Sequence, residues 1–459
     1  MGGSRSTFRR DRLRPAGRVD TDAHWRASTV GASVESCSTS SQELSANQME
    51  ANKPRNLKAM LSEAKDVSEL MVDLGYAAVF FGDAGMAAEV TSLEGQLSHL
   101  VYEMRTVSIL GARSPRDAES MSGVLQLISA IERMGNAAVE IGRVVSRHLG
   151  IPSALVADLA GAEEISHWVR VRPGSQMEGH SLESLSLPTE IGMTVVAVRR
   201  GEDWFIDPAE DLVLAPGDVL ILQGSPEGIP MLREFAGAPE WVKPAVEGQV
   251  ALTDLDRAID VLVDMKNVSE VAVGLAYSAL LFNDVPLSRE VNRLEDRLDE
   301  MREQIELWVL RAAGDVVDPS GLRGLLHLAQ ASETIGDSAQ QIVWTVEAGV
   351  EVHPVFAAAM GESDEVIMRV PIAPGSPIAG TSSRDYNLEL ETGFYLLALV
   401  RNDVYRYRRR TPFHYVAGDE LLAIGPDEGR QMLAEACGYR MEHDDATGEI
   451  ELVAMELMR

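Results

Sequence analysis

The sequence predicts an α+β protein built as a tandem duplication, in which each unit is a helical segment followed by a small α/β segment. Three observations predict this fold class. The two halves of the 459-residue chain align without a gap at one fixed shift. Within each half, the apolar residues first follow the 3.6-residue period of helices. They then follow a β-branched, alternating pattern that is bounded by Gly and Pro turn signals.

The internal repeat has a shift of 201 residues, which relates Lys65 to Lys266. Further pairs in the same register are Tyr76 and Tyr277, Asp83 and Asp284, Glu132 and Glu333, Gly135 and Gly336, Arg200 and Arg401, and Asp218 and Asp419. Self-similarity that holds one register over such a length indicates an internal duplication.

The first part of each unit has the pattern of long helices. Leu93, Leu97 and Leu100 recur at i, i+4 and i+7, which places them on one apolar face. Gly, Asn and Pro residues interrupt the pattern twice in each copy. We therefore expect a bundle of three antiparallel helices per copy. The helical domains are predicted over 54–152 and 253–355, with breaks at 82–85, 114–115, 283–286 and 318–319.

The second part of each unit, over 163–238 and 363–438, is predicted to be a small α/β domain. The segment 194–198 is β-branched and apolar, and 219–222 follows a Pro-Gly-Asp turn signal, so both are predicted strands. Residues 226–235 have a helical pattern. A domain of roughly 75 residues has a marginal core. We therefore expect the two α/β domains to pair.

The chain is strongly acidic, with 71 Asp and Glu residues, 41 Lys and Arg residues and a formal net charge of -30. Only five of the basic residues are lysines. An acidic, lysine-poor surface stays hydrated when salt screens its self-repulsion, so we expect a halophilic cytoplasm. A GC-rich genome, which favours Arg codons, is a compatible explanation. The same field repels phosphate backbones, so nucleic-acid binding is not expected.

Cysteine usage and hydropathy favour the cytoplasm. Cys37 and Cys437 have no metal-ligand spacing, so neither a disulfide framework nor a zinc site is expected. No apolar stretch reaches the roughly 20 residues that span a membrane, so membrane association would depend on a partner. Residues 1–53 are Arg-rich without an apolar period and are predicted to be a disordered tail, with Met49 as a candidate start. Residues 439–459 are predicted to be a C-terminal extension.

Two helical motifs carry a family resemblance. They are Glu132-Arg133-Met134-Gly135-Asn136 and Glu333-Thr334-Ile335-Gly336-Asp337. These runs resemble the ERIGD-like motif of the PhoU domain, a three-helix unit.

Two strand motifs carry a second resemblance. They are Val195-Val196-Ala197-Val198-Arg199-Arg200-Gly201 and Gly217-Asp218-Val219-Leu220-Ile221-Leu222-Gln223-Gly224. They resemble the C-terminal regulatory domain of TrkA, also called RCK-C. The second copy retains Gly418-Asp419 and has a weaker first strand. The alternation of both domains, repeated twice, resembles an archaeal, haloarchaeal-type family of PhoU and TrkA-C fusion proteins of the potassium-transport regulator type.

The resemblance implies regulation of ion transport and no catalysis. TrkA-C domains are cytoplasmic sensors of potassium channels, transporters and antiporters, and some bind cyclic di-AMP across a dimer cleft. The implied partners are therefore a membrane cation transporter or channel and a small anionic ligand, and a homodimer is compatible with both. No G-x-G-x-x-G motif follows a strand in a βαβ setting, so NAD or ATP sensing by that route is not supported.

Arginines near the predicted strands are candidates for anion binding, because a guanidinium recognises phosphate in a bidentate manner. The alternative is ion pairing with neighbouring carboxylates. The candidate ligand-binding residues are Arg170, Arg172, Arg199, Arg200, Arg369 and Arg401.

Polar side chains one helical turn apart are candidates for a metal site. The pairs are Glu132 with Asn136 and Glu333 with Asp337. Oxygen ligands on neighbouring helices can hold a cation, and the PhoU resemblance implies metal clusters on such pairs. The alternative is an acidic helix face in water. Glu94 and Glu295 would complete the site or face solvent.

These observations favour a cytoplasmic regulator of membrane cation transport, most consistent with potassium, that senses a small ligand through its TrkA-C-like domains. Two alternatives remain. One is a metal-binding PhoU-like adaptor in phosphate signalling, and the other is a regulator of a divalent-cation transporter. No nucleophile or metal constellation supports an enzyme.

Overall fold

The computed structural model describes most of residues 56–455, which belong to one unit of the chain, 55–459. Its internal gaps are 153–154, 156–157, 160–164, 202, 241–252, 315–318, 351, 403, 408–411 and 444–449. The tail predicted over 1–53 lies outside the described residues.

The elements form two successive blocks, each with long helices first and then strands with short helices. In chain order they are α1 (Leu57–Phe81), α2 (Ala84–Gly111), α3 (Pro115–Ser146), β1 (Ile165–Arg170), α4 (Leu182–Leu185), α5 (Leu187–Ile191), β2 (Met193–Arg200), β3 (Asp203–Ile206), β4 (Val219–Gly224), α6 (Ile229–Phe235), α7 (Asp254–Phe282), α8 (Val285–Ala312), α9 (Arg323–Glu347), α10 (Val355–Met360), β5 (Glu365–Pro371), α11 (Leu388–Thr392), β6 (Tyr395–Arg401), β7 (Val404–Arg406), β8 (Glu420–Pro426), α12 (Arg430–Ala436), β9 (Tyr439–His443) and β10 (Ile450–Ala454).

The helix breaks fall where the turn residues predict them. Helix α1 ends at Gly82, which has a φ of 65° that favours glycine. Asp83 then caps α2, because its carboxylate accepts from the backbone N–H of Gly85 at 2.7 Å. In the second copy, Asn283 takes the left-handed position and Asp284 caps α8. The prediction of three long helices per copy is confirmed.

The helices of each bundle approach closely at one glycine of the PhoU-like motif. A Cβ atom at Gly135 would overlap the Leu97 side chain, and one at Gly336 would overlap Leu298. The third helix therefore packs closely against the second helix in both copies. Helices α3 and α9 also pack against each other, which joins the two bundles.

Each α/β domain contains a four-stranded antiparallel sheet with the same strand order. The orders are β1-β4-β2-β3 and β5-β8-β6-β7. The second strand of each domain has a bulge at the corresponding place, between Val195 and Ala197 and between Leu396 and Ala398. The weaker motif of the second copy thus folds in the same way, and the α+β fold class is confirmed.

The two α/β domains pair through the short helices α5 and α11. A Cβ atom at Gly192 would lie 3.1 Å from the backbone of Glu389, and one at Gly393 would lie 3.1 Å from the carbonyl of Pro188. The Asn387 amide also donates to the Ser225 hydroxyl at 3.2 Å. The two α/β domains of this chain are therefore in direct contact with each other.

The segment after 438 contains a pair of antiparallel strands. Strands β9 and β10 pair antiparallel, and Tyr439 and Leu452 pack against the core of the second α/β domain. Within the described residues, no helix combines the length and the apolar character that crossing a membrane requires.

Candidate functional site

Arg200 lies in an ion pair at the end of β2. Its Nε and Nη2 atoms donate to the two carboxylate oxygens of Asp218 at 2.8 and 2.7 Å, and Nη2 also donates to the Val213 carbonyl. Asp218 is 1% exposed. Burial opposes ionisation of this carboxyl, but the hydrogen bonds from Arg200 and from the Ala215 N–H hold its pKa below the ordinary value.

Arg401 repeats this arrangement in the second copy. It donates to both oxygens of Asp419 and to the His414 carbonyl, the latter at 2.8 Å. Ion pairing, the alternative raised by the sequence, therefore describes both arginines. Each pair fastens the turn before the last sheet strand to the neighbouring strand.

Two further candidates fasten the sheets to the helices. The Arg369 guanidinium contacts Asp284 at 2.8 Å and Glu420 at 3.0 Å. Arg199 lies 3.8 Å from Asp83. Since Asp83 and Asp284 cap the second helix of their bundles, an arginine from each sheet reaches the same point of its own bundle.

Arg170 and Arg172 lie at the exposed end of β1. Neither makes an ion pair with another described residue. The six candidate arginines are thus divided among internal ion pairs, contacts between domains and an exposed strand end, and they do not form one site.

A cleft of about 200 Å³ lies where the α/β domains meet. Glu227 lines it from the first domain, and Ser383, Arg384, Asn387 and Tyr415 line it from the second. Arg384 is exposed and makes no ion pair within the described part of the chain. The repeat alignment gave no signal for it, because the shift relates Arg384 to an acidic residue, Glu183.

The second helical bundle contains a cluster of carboxylates. Glu333 and Asp337 of α9 face Glu295 of α8, and the pKa of each is raised, mainly by burial. The pKa of Glu295 rises to about 7, because burial and the charges of Asp299 and Asp337 disfavour its ionised form. Gln340 donates to Glu295 at 2.7 Å.

The first bundle lacks such a cluster. Glu132 pairs with Arg105 at 2.7 Å, Asn136 is exposed, and Glu94 accepts from Ser98 at 2.7 Å. Among the residues whose placement is described, no group of three or more His, Cys, Asp or Glu side chains is arranged to hold a metal ion. The metal site stays a prediction in both bundles, since Glu333 of the second bundle also lies 3.7 Å from Arg302.

Two buried lysines lie between the bundles. Lys65 donates to Glu69 at 2.6 Å and to the Ser363 hydroxyl at 2.9 Å, and Lys266 donates to Glu270 at 2.7 Å. Burial lowers the pKa of Lys65, but Glu69 and neighbouring carboxylates outweigh it and raise the pKa overall. Each ammonium group also lies near a tyrosine ring of the other copy.

Lys65 lies 5.6 Å from the Tyr277 ring, and Lys266 lies 5.3 Å from the Tyr76 ring. A signal for this site was present in the sequence. Almost all basic residues of the chain are Arg, yet two of its five lysines, Lys65 and Lys266, are related by the repeat shift.

Comparisons with known proteins identify the domains. The PhoU domain family model matches residues 61–145 and 262–346, and the TrkA-C domain model matches residues 167–237. Among solved structures, PhoU from Pseudomonas aeruginosa is 13% identical, with a TM-score of 0.34, over 66% of this chain and 99% of that chain.

Two structures of GsuK are similar at a lower level. The GsuK RCK domain is 14% identical, with a TM-score of 0.16, over 60% of this chain and 63% of that chain. The GsuK channel bound to NAD is 15% identical, with a TM-score of 0.17, over 69% of this chain and 65% of that chain. This chain thus spans less than two thirds of either GsuK chain.

The family models match the helical part of both copies and the α/β part of the first copy. The unmatched α/β domain has the strand order, the bulge and the Arg–Asp ion pair of the matched one. The chain therefore contains two PhoU domains and a TrkA-C domain, with a second domain of the same topology at 363–438.

Proposed function

We propose that this protein regulates a membrane cation transporter or channel, with potassium as the transported ion, and that it has no catalytic activity of its own. PhoU and TrkA-C are regulatory domains, which link the chain to ion transport or phosphate signalling. The observation that carries the proposal is the pairing of the two α/β domains within one chain, with a polar cleft at their junction.

The ties between sheets and helices support transmission of a signal from this cleft. Arg369 and Arg199 contact the residues that cap the second helix of each bundle. Gln223 of β4 also donates to Asp73 of α1 at 2.8 Å. A change in the relative position of the two sheets would therefore move the helices to which they are fastened.

The size of the cleft indicates how a ligand would act. At about 200 Å³ it is smaller than the roughly 300–1,000 Å³ of most ligand pockets. A cyclic dinucleotide would therefore bind best when the α/β domains stand farther apart. Such a ligand would shift the population toward the more open arrangement, and Arg384 would meet its phosphate.

The charge of the chain supports a membrane protein as the partner. Cytoplasmic loops of integral membrane proteins carry an excess of Lys and Arg. A chain with a net charge of -30 complements such loops, and long-range attraction would speed their encounter. The protein would thereby act at the membrane from the cytoplasm.

Isothermal titration calorimetry with cyclic di-AMP in molar KCl tests the sensing step. We expect saturable binding that Arg384→Ala weakens at least tenfold. Arg297→Ala is the matched control, because Arg297 is exposed on α8 and does not line the cleft. Folded protein that releases no binding heat would contradict the assignment of this ligand to the cleft.

The carboxylate cluster of the second bundle favours a second candidate, a metal-binding adaptor in phosphate signalling or a regulator of divalent-cation transport. Glu295, Glu333 and Asp337 would have to rearrange to hold the ion, because no group of three such side chains in the described part of the chain is arranged to do so. Metal analysis of purified protein separates the candidates. Stoichiometric iron, manganese or zinc that is lost in Glu333→Gln would favour the adaptor, and metal-free protein would favour the first proposal.

A further inference from the structure

The seam between the two copies is closed on one side and open on the other. On the closed side, the Gly324 N–H donates to the Gly150 carbonyl at 3.1 Å. A Cβ atom at Gly150 would lie 2.7 Å from the Gly321 backbone, so only glycine allows this approach. The start of α9 therefore lies directly on the chain that leaves α3.

The equivalent place on the other side of the seam is a groove of about 650 Å³. The repeat shift relates Gly321 to Ser120 and Gly324 to Gly123. Ser120 lines the groove from α3, and Val350, His353 and Pro354 line it from the segment after α9. The two sides of the seam thus differ although their sequences are related.

The first turns of α3 line the groove on one side. Helix α3 begins at Pro115, eight residues before Gly123, whereas in the second copy a 3-10 helix, Pro319–Leu322, leads into α9 at Arg323. These first turns of α3 form one wall of the groove. Arg116, Ser120 and Gly123 share one face of this wall, and a Cβ atom at Gly123 would lie 2.9 Å from Thr345 of α9.

The lining of this groove suits a phosphate group. Arg113 and Arg116 both line it beside the N-terminus of α3, whose partial positive charge adds to theirs. Arg113 is exposed, and its guanidinium makes no ion pair with a described residue. Asp117 is engaged in the turn, since its carboxylate accepts from the Arg113 N–H at 3.3 Å.

The remaining lining suits the organic part of a ligand. Met121 and Val350 offer apolar contact, while Glu119 and His353 offer polar groups that can bind an amino or hydroxyl group. The volume lies within the range of roughly 300–1,000 Å³ that is typical of small-molecule sites.

We propose that this groove between the copies binds a nucleoside phosphate, with Arg113 and Arg116 on the phosphate. The site is separate from the cleft between the α/β domains and does not depend on the function proposed above. A ligand there would contact both bundles at once, so it would act on their relative position.

Calorimetry of the full chain with 5′-AMP and with pyrophosphate tests the site. We expect saturable binding of 5′-AMP, weaker binding of pyrophosphate and no binding of adenosine. Arg113→Gln combined with Arg116→Gln should weaken 5′-AMP at least tenfold, because two charge-assisted contacts are lost. Arg297→Gln, an exposed arginine on α8, is the matched control and should bind like the wild type.

A second measurement locates the ligand. Hydrogen exchange in the presence of 5′-AMP should slow in residues 111–121, 349–350 and 353–354, which include the lining of the groove. Ser120→Trp should abolish this protection by filling the groove while the chain stays folded. The proposal is overturned if neither probe binds, if the double variant binds as the wild type does, or if protection appears only in the α/β domains.

Discussion

The two copies are most alike in their α/β domains and most different in their helical bundles. Both sheets have the same strand order, the same bulge and the same Arg–Asp ion pair. In the described parts of the bundles, the carboxylate cluster lies in the second copy, and the first turns of the third helix line the groove in the first copy. The repeated features hold the architecture together, and the unrepeated ones are where each copy can have a role of its own.

The largest expected effect concerns a feature that both copies share, the buried lysines. Lys65→Met leaves Glu69 without its cation, which should lower the free energy of unfolding by about 3–5 kcal/mol. Lys266→Met should lower the free energy of unfolding by a similar amount, because Glu270 loses the Lys266 ammonium. Urea denaturation measures both.

Lys58→Met is the control for this pair. Its exposed partner Glu362 lies 2.6 Å away in water, so the expected loss is about 0–1 kcal/mol. A loss below 1 kcal/mol for Lys65→Met would mean that the buried pairs do not hold the copies together.

The Arg–Asp pairs of the sheets should respond equally in the two copies. Asp218→Asn and Asp419→Asn each leave an arginine without its bidentate partner, at a cost of about 2–3 kcal/mol at pH 7. The folded-state pKa of Asp218 is lowered, so its stabilisation is present above the unfolded pKa and is lost as pH falls through the folded value. The loss of stability caused by Asp218→Asn should therefore shrink in acid. A loss that does not change with pH would contradict this prediction.

The two sides of the seam should respond unequally to alanine. Gly324→Ala would place a Cβ atom onto the Gly150 carbonyl, and backbone cannot yield cheaply, so a loss of about 1–3 kcal/mol is expected. Gly123→Ala meets only the end of the Thr345 side chain at 2.9 Å, and its loss should be smaller. Thermal unfolding of both variants measures the two losses of stability. Equal losses would contradict the predicted difference between the two sides of the seam.

The smallest expected effect is a gain of stability in the second bundle. The folded pKa of Glu295, about 7, exceeds its unfolded value, so its contribution to stability declines as pH rises between the two. Glu295→Gln should therefore stabilise the protein at pH 8 by about 1–2 kcal/mol. Glu94→Gln, in the first copy, should change stability by less than about 0.5 kcal/mol. A loss of stability in Glu295→Gln at pH 8 would contradict the account.

Periodicity and turn chemistry predicted most of the fold. Gly82, Asn283 and the two capping aspartates end and begin helices by local geometry, which sequence reveals. The sites were less predictable, because they depend on which side chains meet across domains. For Arg200 and Arg401 the sequence left anion binding and ion pairing both open, because only sheet pairing brings their aspartate partners near.

For a related reason, the internal repeat did not indicate the arginines of the cleft and of the groove. Arg384 corresponds to Glu183 and Arg113 to Gly314, so self-similarity gives no weight to either position. Their placement depends on how the domains pack, which has no local signature in sequence.

The central claim is that the paired α/β domains control cation transport. Rubidium uptake, as a measure of potassium flux, should be compared between cells that contain this protein and cells that lack it. The account predicts altered uptake without the protein, restored by the wild-type chain and not by Arg384→Ala. Unchanged uptake in cells that lack the protein would contradict it.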